Sequence, residues 1–371
     1  MTASAKPSIS LFIPGHIFGG IERVFINLAV EFTKKGYEVD LITPFLNKNT
    51  AKILSMQEIN VVNLNSKKNI LSLFKLMRYL KEKDPDIFIS GSPVFNLVSL
   101  FARFLSGSKT KIIICIFGIL SKAKDTDSGI YKLIPFLSKY LYRFADQIVA
   151  CSHAAADDFY KISGFAPGKV KVIYTPIVTK DILKKAEESV IHPWLMKDSP
   201  TPVIIGVGRL TNEKNFIFLI RAFAELIKKR DARLMIVGTG PERKRLQNEI
   251  SMLGLDQKAQ LTGFVNNDYA YIARSAVLVL TSLHDALPSV IIEALALGTN
   301  VVSVDCPGGV SEILERGRFG AIVPQGDTPA LTNAIISALN DPKDPEMLIM
   351  RAQAFRSDVI ADQYLNMISS M

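Results

Sequence analysis

Two cations and two carboxylates in the second half of the chain stand at spacings that suit a phosphate-bearing sugar. Arg209 and Lys214 are five positions apart in Gly208-Arg209-Leu210-Thr211-Asn212-Glu213-Lys214-Asn215, between a strand-like run and a helical one. A forked guanidinium and a compact ammonium in a loop at a strand's carboxyl end suit a diphosphate. Downstream, Asp285 and Glu293 stand eight positions apart within residues 281–298, TSLHDALPSVIIEALALG. The apolar run Ala276-Val277-Leu278-Val279-Leu280 before that stretch reads as a buried parallel strand. Pro288 suits the first turn of a helix, Val290, Ile291, Ala294, Leu295 and Leu297 have helical spacing, and Gly298 ends the run. Backbone amides near Ser289 and the helix dipole would make that start an anion site. Glu293, about one and a half turns in, is too deep to favour a phosphate but can accept hydrogen bonds from sugar or ribose hydroxyls beside it. Taken alone, a dipole acid, a solvated helix acid and two solvated loop cations would leave the same pattern.

These residues need alternating strands and helices to hold them, and the chain supplies that pattern twice. Residues 9–13 read as a buried strand that breaks at Pro14-Gly15-His16-Ile17-Phe18-Gly19-Gly20. A helical run over 21–35, a capping Gly36 and a strand at 39–42 follow, as in the opening of a doubly wound α/β domain. Gly15, Gly19 and Gly20 miss the dinucleotide-binding spacing. Paired Gly19 and Gly20 still let backbone approach a ligand, and equally suit a plain tight turn. Further strands are expected at 86–90, 111–117, 147–151 and 170–174. Prolines 176, 193 and 200 and many charges mark a connector, placed at 181–200, with Trp194 packing its hinge. A second domain then opens with a strand at 202–206. Its strand at 233–237 runs into the tight turn Gly238-Thr239-Gly240-Pro241-Glu242, and its later strands fall at 301–304 and 320–323. The expected organisation is an amino-terminal domain over 1–180, completed by a crossover segment at 351–371, and a second domain over 201–350.

At 371 residues the chain has room for two or three cores. No apolar run approaches the roughly 18 residues a membrane span needs, and the opening Met-Thr-Ala-Ser-Ala-Lys-Pro leads straight to a strand, so no signal peptide is expected. Cys115, Cys151 and Cys306 are odd in number and far apart, which fits reduced, buried thiols and a cytoplasmic protein. No Cys or His pair has metal-ligand spacing. Asp84-Pro85-Asp86 reads as a helix-to-strand turn, and Asp125-Thr126-Asp127 as a loop without a supporting strand, so neither is taken as a metal-binding DxD. The net charge of +9 calls for a polyanionic partner or surface. Its excess collects on two segments. Lys67, Lys68, Lys75, Arg78, Lys81 and Lys83 mark one helix, and residues 134–144 mix Lys139 and Arg143 with Leu137, Tyr140, Leu141, Tyr142 and Phe144. Either segment could rest on an anionic bilayer from the inner, cytoplasmic side, and either could be a core-facing helix with a solvated basic face. Nucleic acid is not expected, because no recognised binding motif is present.

The stretch from Asp285 to Glu293, with Leu287-Pro288 and Glu293-Ala294, resembles the signature of glycosyltransferase family 4, the group 1 glycosyltransferases: retaining enzymes of the GT-B fold. The family usually has Glu where Asp285 stands and Gly where Ala286 stands. The octet from Gly208 to Asn215 resembles the family's Gly-Arg-Leu…Glu-Lys-Asn motif, in which the Arg and Lys hold the donor diphosphate. The resemblance implies that role for Arg209 and Lys214. It also places the Gly238 and Gly240 loop along the donor, the backbone of Phe264 and Val265 against the nucleobase, and Gly19 and Gly20 facing the donor phosphate or the acceptor. Glu312 matches a frequent family Glu. Phe117 stands where many relatives carry a His beside the donor sugar, and His153 reads as a helix-start residue. The resemblance is strong over 201–326 and weak over 1–180, as expected if the second domain binds a common nucleotide-sugar and the first binds a variable acceptor.

The fold it implies is α/β: GT-B, two Rossmann-like doubly wound domains facing each other across a cleft. The activity it implies is a hexosyltransferase-type, metal-independent transfer from a nucleotide-sugar, a UDP-sugar by family frequency, to a glycan or lipid-linked acceptor in cell-surface polysaccharide or glycolipid synthesis. Asp285 would hold the sugar and Glu293 the ribose. A non-catalytic GT-B subunit binding nucleotide or glycan, and a GT-B nucleotide-sugar epimerase, are the alternatives.

Overall fold

The structure is a computed structural model and describes residues 6–14, 19–46, 59–66, 72–125, 129–196 and 200–371. Gly15, His16, Ile17 and Phe18 of the first loop, Lys67 and Lys68 of the first basic segment, and Thr126 and Asp127 lie outside the described residues. The chain divides into two compact units, Met1–Ile177 with Arg356–Met371, and Val178–Phe355.

The first unit is built on β1 (Ile9–Phe12), β2 (Val39–Thr43), β3 (Asn60–Asn63), β4 (Ile87–Ser90), β5 (Lys111–Ile116), β6 (Gln147–Ala150) and β7 (Val170–Val172). They form a sheet in the order β3-β2-β1-β4-β5-β6-β7, parallel throughout. Ile9, Leu11, Phe12, Ile87, Phe88, Ile89 and Ile112 to Ile114 are buried on both sheet faces, which is why these strands read as continuous apolar runs rather than alternating ones. The helix Gly20–Lys34 buries Val24, Phe25, Leu28, Ala29 and Phe32. Its first turn is held by the Gly19 N–H donating to Glu22 Oε2 at 3.2 Å. Gly36, at φ 78°, ends it in the left-handed conformation. The helix Ser357–Ser369 completes this unit: it buries Ile360, Ala361, Tyr364, Leu365, Met367 and Ile368 and packs against Gly20–Lys34.

The second unit is built on β8 (Val203–Val207), β9 (Arg233–Val237), β10 (Ala259–Gly263), β11 (Val277–Leu280), β12 (Asn300–Val304) and β13 (Ala321–Val323). The order is β10-β9-β8-β11-β12-β13, again parallel. Strand order reverses between β8 and β11, and in the first sheet between β1 and β4. The loops beyond the carboxyl ends of such a pair diverge and leave room for a ligand.

The segment expected as a connector at 181–200 has the proline content of a linker but not its exposure. Ile182, Ala186 and Leu195 are buried, and the helix Ile182–Glu187 packs on the helix Tyr269–Ala273. Arg274 Nη1 donates to the Ala186 carbonyl at 2.8 Å and Asn267 Nδ2 to the Lys185 carbonyl at 2.6 Å. Trp194 meets the His192 ring edge-on at 5.3 Å and lies under the Arg233 guanidinium at 5.8 Å, all within the second unit. The division between units falls instead at Ile177/Val178 and Phe355/Arg356.

Candidate active site

The loop after β8 is shaped by glycines that no other residue could replace without moving backbone. Gly208 has φ 155° and Gly238, at the end of β9, has φ 143°. A Cβ on Gly238 would lie 1.9 Å from the Gly208 carbonyl oxygen, and one on Gly240 would lie 2.3 Å from that of Leu210. The two loops are therefore in backbone contact, fixed by the Gly208 N–H donating to Val237 O at 3.0 Å and the Leu210 N–H to Thr239 O at 2.9 Å. This places Arg209 and Lys214 on a rigid base. Asn215, left-handed at φ 51°, turns the chain into the helix Phe216–Leu226.

Across the switch point, the loop after β11 docks on the same segment. The Thr281 hydroxyl donates to the carbonyls of Lys214 and Asn215, at 3.0 and 3.2 Å, and the Leu283 N–H donates to Glu213 O at 2.8 Å. Gln325 Nε2 braces the loop from outside by donating to Ser282 O and Leu283 O. The loop after β12 closes the third side. The Asp285 N–H donates to Pro307 O and the Gly309 N–H to Asp285 O, each at 3.1 Å. A Cβ on Gly308 would meet that same Asp285 oxygen at 1.7 Å. Three loops from neighbouring strands thus fix the Asp285 backbone.

The outcome is an ion pair: Lys214 Nζ stands 2.6 Å from Asp285 Oδ2, with both side chains about five-sixths buried at 17% and 16% exposure. Arg209 is turned outward, 72% exposed, and pairs with Glu213 at 3.5 Å. Pro288 is the cap residue rather than a first-turn residue, extended at ψ 103°, and the helix runs Ser289–Ala296. Leu287 and Glu293 are buried and Ser289 is half-buried. Glu293 is the fifth residue of that helix, past its first turn. Gly298 ends it at φ 69°, where a Cβ would meet Pro345 at 2.9 Å. Ala286, at the position expected to be Gly, is buried without its Cβ displacing the loop's hydrogen bonds.

Phe264 and Val265 follow β10, with Phe264 70% exposed. Arg243 Nη2 donates to Leu261 O at 3.1 Å and holds that edge. The Glu312 carbonyl accepts from Arg351 Nη2 at 2.8 Å. Gly19 and Gly20 belong to the first unit, at the start of its first helix, and a Cβ on Gly20 would meet nothing within 4 Å. Also in the first unit, Phe117 packs edge-on against Phe25 at 5.7 Å and covers Gly91, where a Cβ would lie 2.4 Å from its ring. That spot beyond β4 and β5 is apolar. His153 begins the helix His153–Ser163 and is exposed; Ser152 caps that helix by accepting from the Ala155 N–H at 3.1 Å. Asp86 accepts from the Ser8 N–H and hydroxyl, so its carboxylate is used in the turn. Among the described residues no group of three His, Cys, Asp or Glu side chains could hold a metal ion.

Of the residues that brace the site, Cys306 reads in the sequence only as a buried thiol. Cys306 is buried beside the Lys214–Asp285 pair; burial first, and then the Asp285 charge, push its thiol up to about 12, against the opposing pull of Lys214. Gln325 left no signal, since a lone Gln in a turn is unremarkable. The Gly308-Gly309 pair did leave one.

Comparison with known proteins gives the same picture from outside. Residues 190–355 match the family model described as "Glycosyl transferases group 1", and residues 18–181 match "Glycosyltransferase Family 4". The chain is 30% identical over 347 residues to the N-acetylgalactosamine-N,N'-diacetylbacillosaminyl-diphospho-undecaprenol 4-alpha-N-acetylgalactosaminyltransferase of Campylobacter jejuni, covering 90% of this chain and 91% of the relative. It is 26% identical to the same organism's GalNAc-alpha-(1->4)-GalNAc-alpha-(1->3)-diNAcBac-PP-undecaprenol alpha-1,4-N-acetyl-D-galactosaminyltransferase, covering 98% of both chains. Its fold superposes on Anabaena HepE, solved with UDP-glucose, with a TM-score of 0.81 over 99% of this chain and all of that one, at 20% identity.

Proposed function

The chain belongs to the group 1, family 4 glycosyltransferases, with two parallel-sheet Rossmann-like domains of the GT-B type, and from that premise we propose that it transfers a sugar, with retention, from a UDP-sugar to a lipid-linked glycan. The observation that carries this reading is the buried Lys214–Asp285 pair at the β8/β11 switch point, framed by the glycine loops and the start of the helix Ser289–Ala296. A diphosphate entering there meets Lys214, Arg209 once it turns inward, and the amides at Ser289. Together they stabilise the charge that develops as the sugar leaves. Glu293 accepts from the ribose hydroxyls and Asp285 from the sugar hydroxyls, while Phe264 and Val265 present backbone to the base.

In the transfer, the bond from the sugar's anomeric carbon to the β-phosphate oxygen breaks and a bond to the acceptor hydroxyl forms on the same face. The acceptor's proton passes to the departing phosphate, which leaves as UDP. Because the leaving group takes the proton, an apolar Phe117 in place of a histidine is compatible with turnover. The acceptor class is supported by the two Campylobacter relatives, whose names describe sugars carried on diphospho-undecaprenol. The donor nucleotide is supported by the UDP-glucose in the HepE structure. Such an acceptor places the enzyme on the anionic inner face of a membrane, as a peripheral protein. No helix of the described residues is long and apolar enough to cross one.

The test is incubation with a panel of UDP-sugars and a polyprenyl-diphosphate glycan, with the product's anomeric configuration read by NMR. Transfer with the donor's configuration kept is expected. Absence of transfer with every UDP-sugar, or an inverted product, contradicts the proposal.

A further inference from the structure

The helices Ser72–Lys83, Pro93–Ser106 and Gly129–Leu141 follow β3, β4 and β5 and pack side by side on one face of the first sheet, as right-handed crossovers moving the same way across it require. The first buries a stripe through Leu76 and Leu80 and the third one through Ile134 and Ser138, while the second is buried all round from Val94 to Leu100 and exposed in its last turn. The exposed side of the first is charged, with Lys75, Arg78, Lys81, Glu82 and Lys83 around Phe74, but the exposed surfaces of the other two carry few of the polar side chains that water-exposed helices show. On the third helix and the turn after it, Leu133, Phe136, Tyr140 and Phe144 repeat at i, i+3, i+7 and i+11, with exposures of 55%, 61%, 44% and 59%. On its neighbour Phe101, Phe104 and Leu105 are exposed, Phe104 to 82%. Apart from Phe45 and Phe264, every exposed aromatic side chain among the described residues lies on these three helices or the turn after the last.

Cations are threaded through this apolar surface. Lys132, Lys139 and Arg143 are exposed beside the stripe, and Lys139 Nζ and the Arg143 guanidinium stand 5.7 and 5.8 Å from the centre of the Tyr140 ring. Residues 93–106 and 129–144 contain no Asp or Glu. On the first of the three helices the acid Glu82 is already paired with Arg78. A second copy of the chain is a poor cover for such a face, because a two-fold interface would set cations against cations. The helices are 12 to 14 residues long, well short of the roughly 20 a span needs.

We propose that this face docks the first unit on an anionic lipid bilayer, with the Phe136, Tyr140, Phe144 and Phe104 rings at headgroup depth and Lys132, Lys139 and Arg143 on the lipid phosphates. It deepens the lipid-linked acceptor reading and rests on it: docking here would hold the acceptor-binding unit where that acceptor's head emerges. The test is flotation of the full chain with vesicles of phosphatidylcholine containing one-quarter phosphatidylglycerol, against pure phosphatidylcholine, with donor and acceptor absent. Binding to the anionic vesicles at least tenfold above the neutral ones is expected. Lys139→Gln with Arg143→Gln should weaken it roughly thirtyfold, at about fivefold for each cation near the surface. Phe136→Ser with Tyr140→Ser should abolish it. All four side chains are exposed, so an unchanged melting temperature serves as the folding control. No flotation, equal flotation on neutral vesicles, variants that float like the parent, or a dimer that the same substitutions dissolve would each overturn the docking. Transfer to detergent-dispersed acceptor, measured on the same proteins, separates the two ideas. A chain that transfers but does not float loses only the docking, and one that floats but never transfers loses only the transferase reading.

Discussion

Lys214 is not a free cation waiting for phosphate; its ammonium is already 2.6 Å from Asp285 in a largely water-excluded place. Such a pair costs desolvation that only good geometry recovers, and removing one partner strands the other. A diphosphate that takes Lys214 must compete with Asp285 and lie close to its negative charge. Asp285→Asn is therefore expected to tighten UDP binding about tenfold, as a nearby like charge disappears, while transfer falls roughly 10²–10³-fold for want of the sugar contact. Calorimetric titration with UDP beside turnover measures the split, and weaker UDP binding in the variant would show that Asp285 does not oppose the phosphate. The buried thiols make a separate prediction. Cys115 and Cys306 are both pushed from the ordinary 9.0 up to about 12, chiefly by burial. Each ionises in the unfolded chain before it does in the folded one. Their contribution to stability is thus complete below about pH 9 and is lost as pH rises from about 9 to about 12. The urea midpoint should fall over that window, and less steeply in Cys306→Ala.

At the scale of elements, the site is a meeting of three loops whose backbones touch. Gly238→Ala would force a Cβ to 1.9 Å from the Gly208 oxygen at φ 143°, so it should destabilise the second unit by about 3 kcal/mol or more and weaken donor binding with it. A denaturant midpoint within error of the parent would contradict the packing described. The same loops explain what could be read from sequence. The octet at 208–215 and the run at 281–298 are local: their residue types, glycines and periodicity fix loop and helix without reference to the rest. The partnership between Lys214 and Asp285 spans 71 positions and exists only because β8 and β11 are neighbours, which no local pattern states. The place of Cys306 beside that pair, and of Gln325 behind the loop, depends on the same distant neighbours. The segment at 181–200 reads as a linker by its prolines and charges, yet it holds three buried apolar residues, Ile182, Ala186 and Leu195. Their cover comes from the second unit: the Ile182–Glu187 helix packs on the distant helix Tyr269–Ala273, and Arg274 beside it takes the Ala186 carbonyl.

At the scale of the molecule, the chain builds two parallel-sheet units and returns to finish the first. The helix Ser357–Ser369 hydrogen-bonds through Tyr364 to Cys115 at 3.5 Å, pairs Asp362 with Lys35, and buries six apolar side chains. At about 1.5–3 kcal/mol for each fully buried side chain, truncation before Ser357 should remove the first unit's cooperative transition while leaving that of Val178–Phe355. A first unit that still melts cooperatively would argue that the helix is dispensable. The division of labour proposed above puts the nucleotide in the second unit, so its binding should stabilise the intact chain by mass action, by about 2.7 kcal/mol at a hundredfold excess over the dissociation constant. The most direct test of the central claim is a UDP titration of thermal stability in the parent and in Lys214→Ala. A saturable rise in melting temperature that the substitution removes is predicted. No rise with UDP, or the same rise in the variant, would mean that the donor diphosphate does not bind at Lys214.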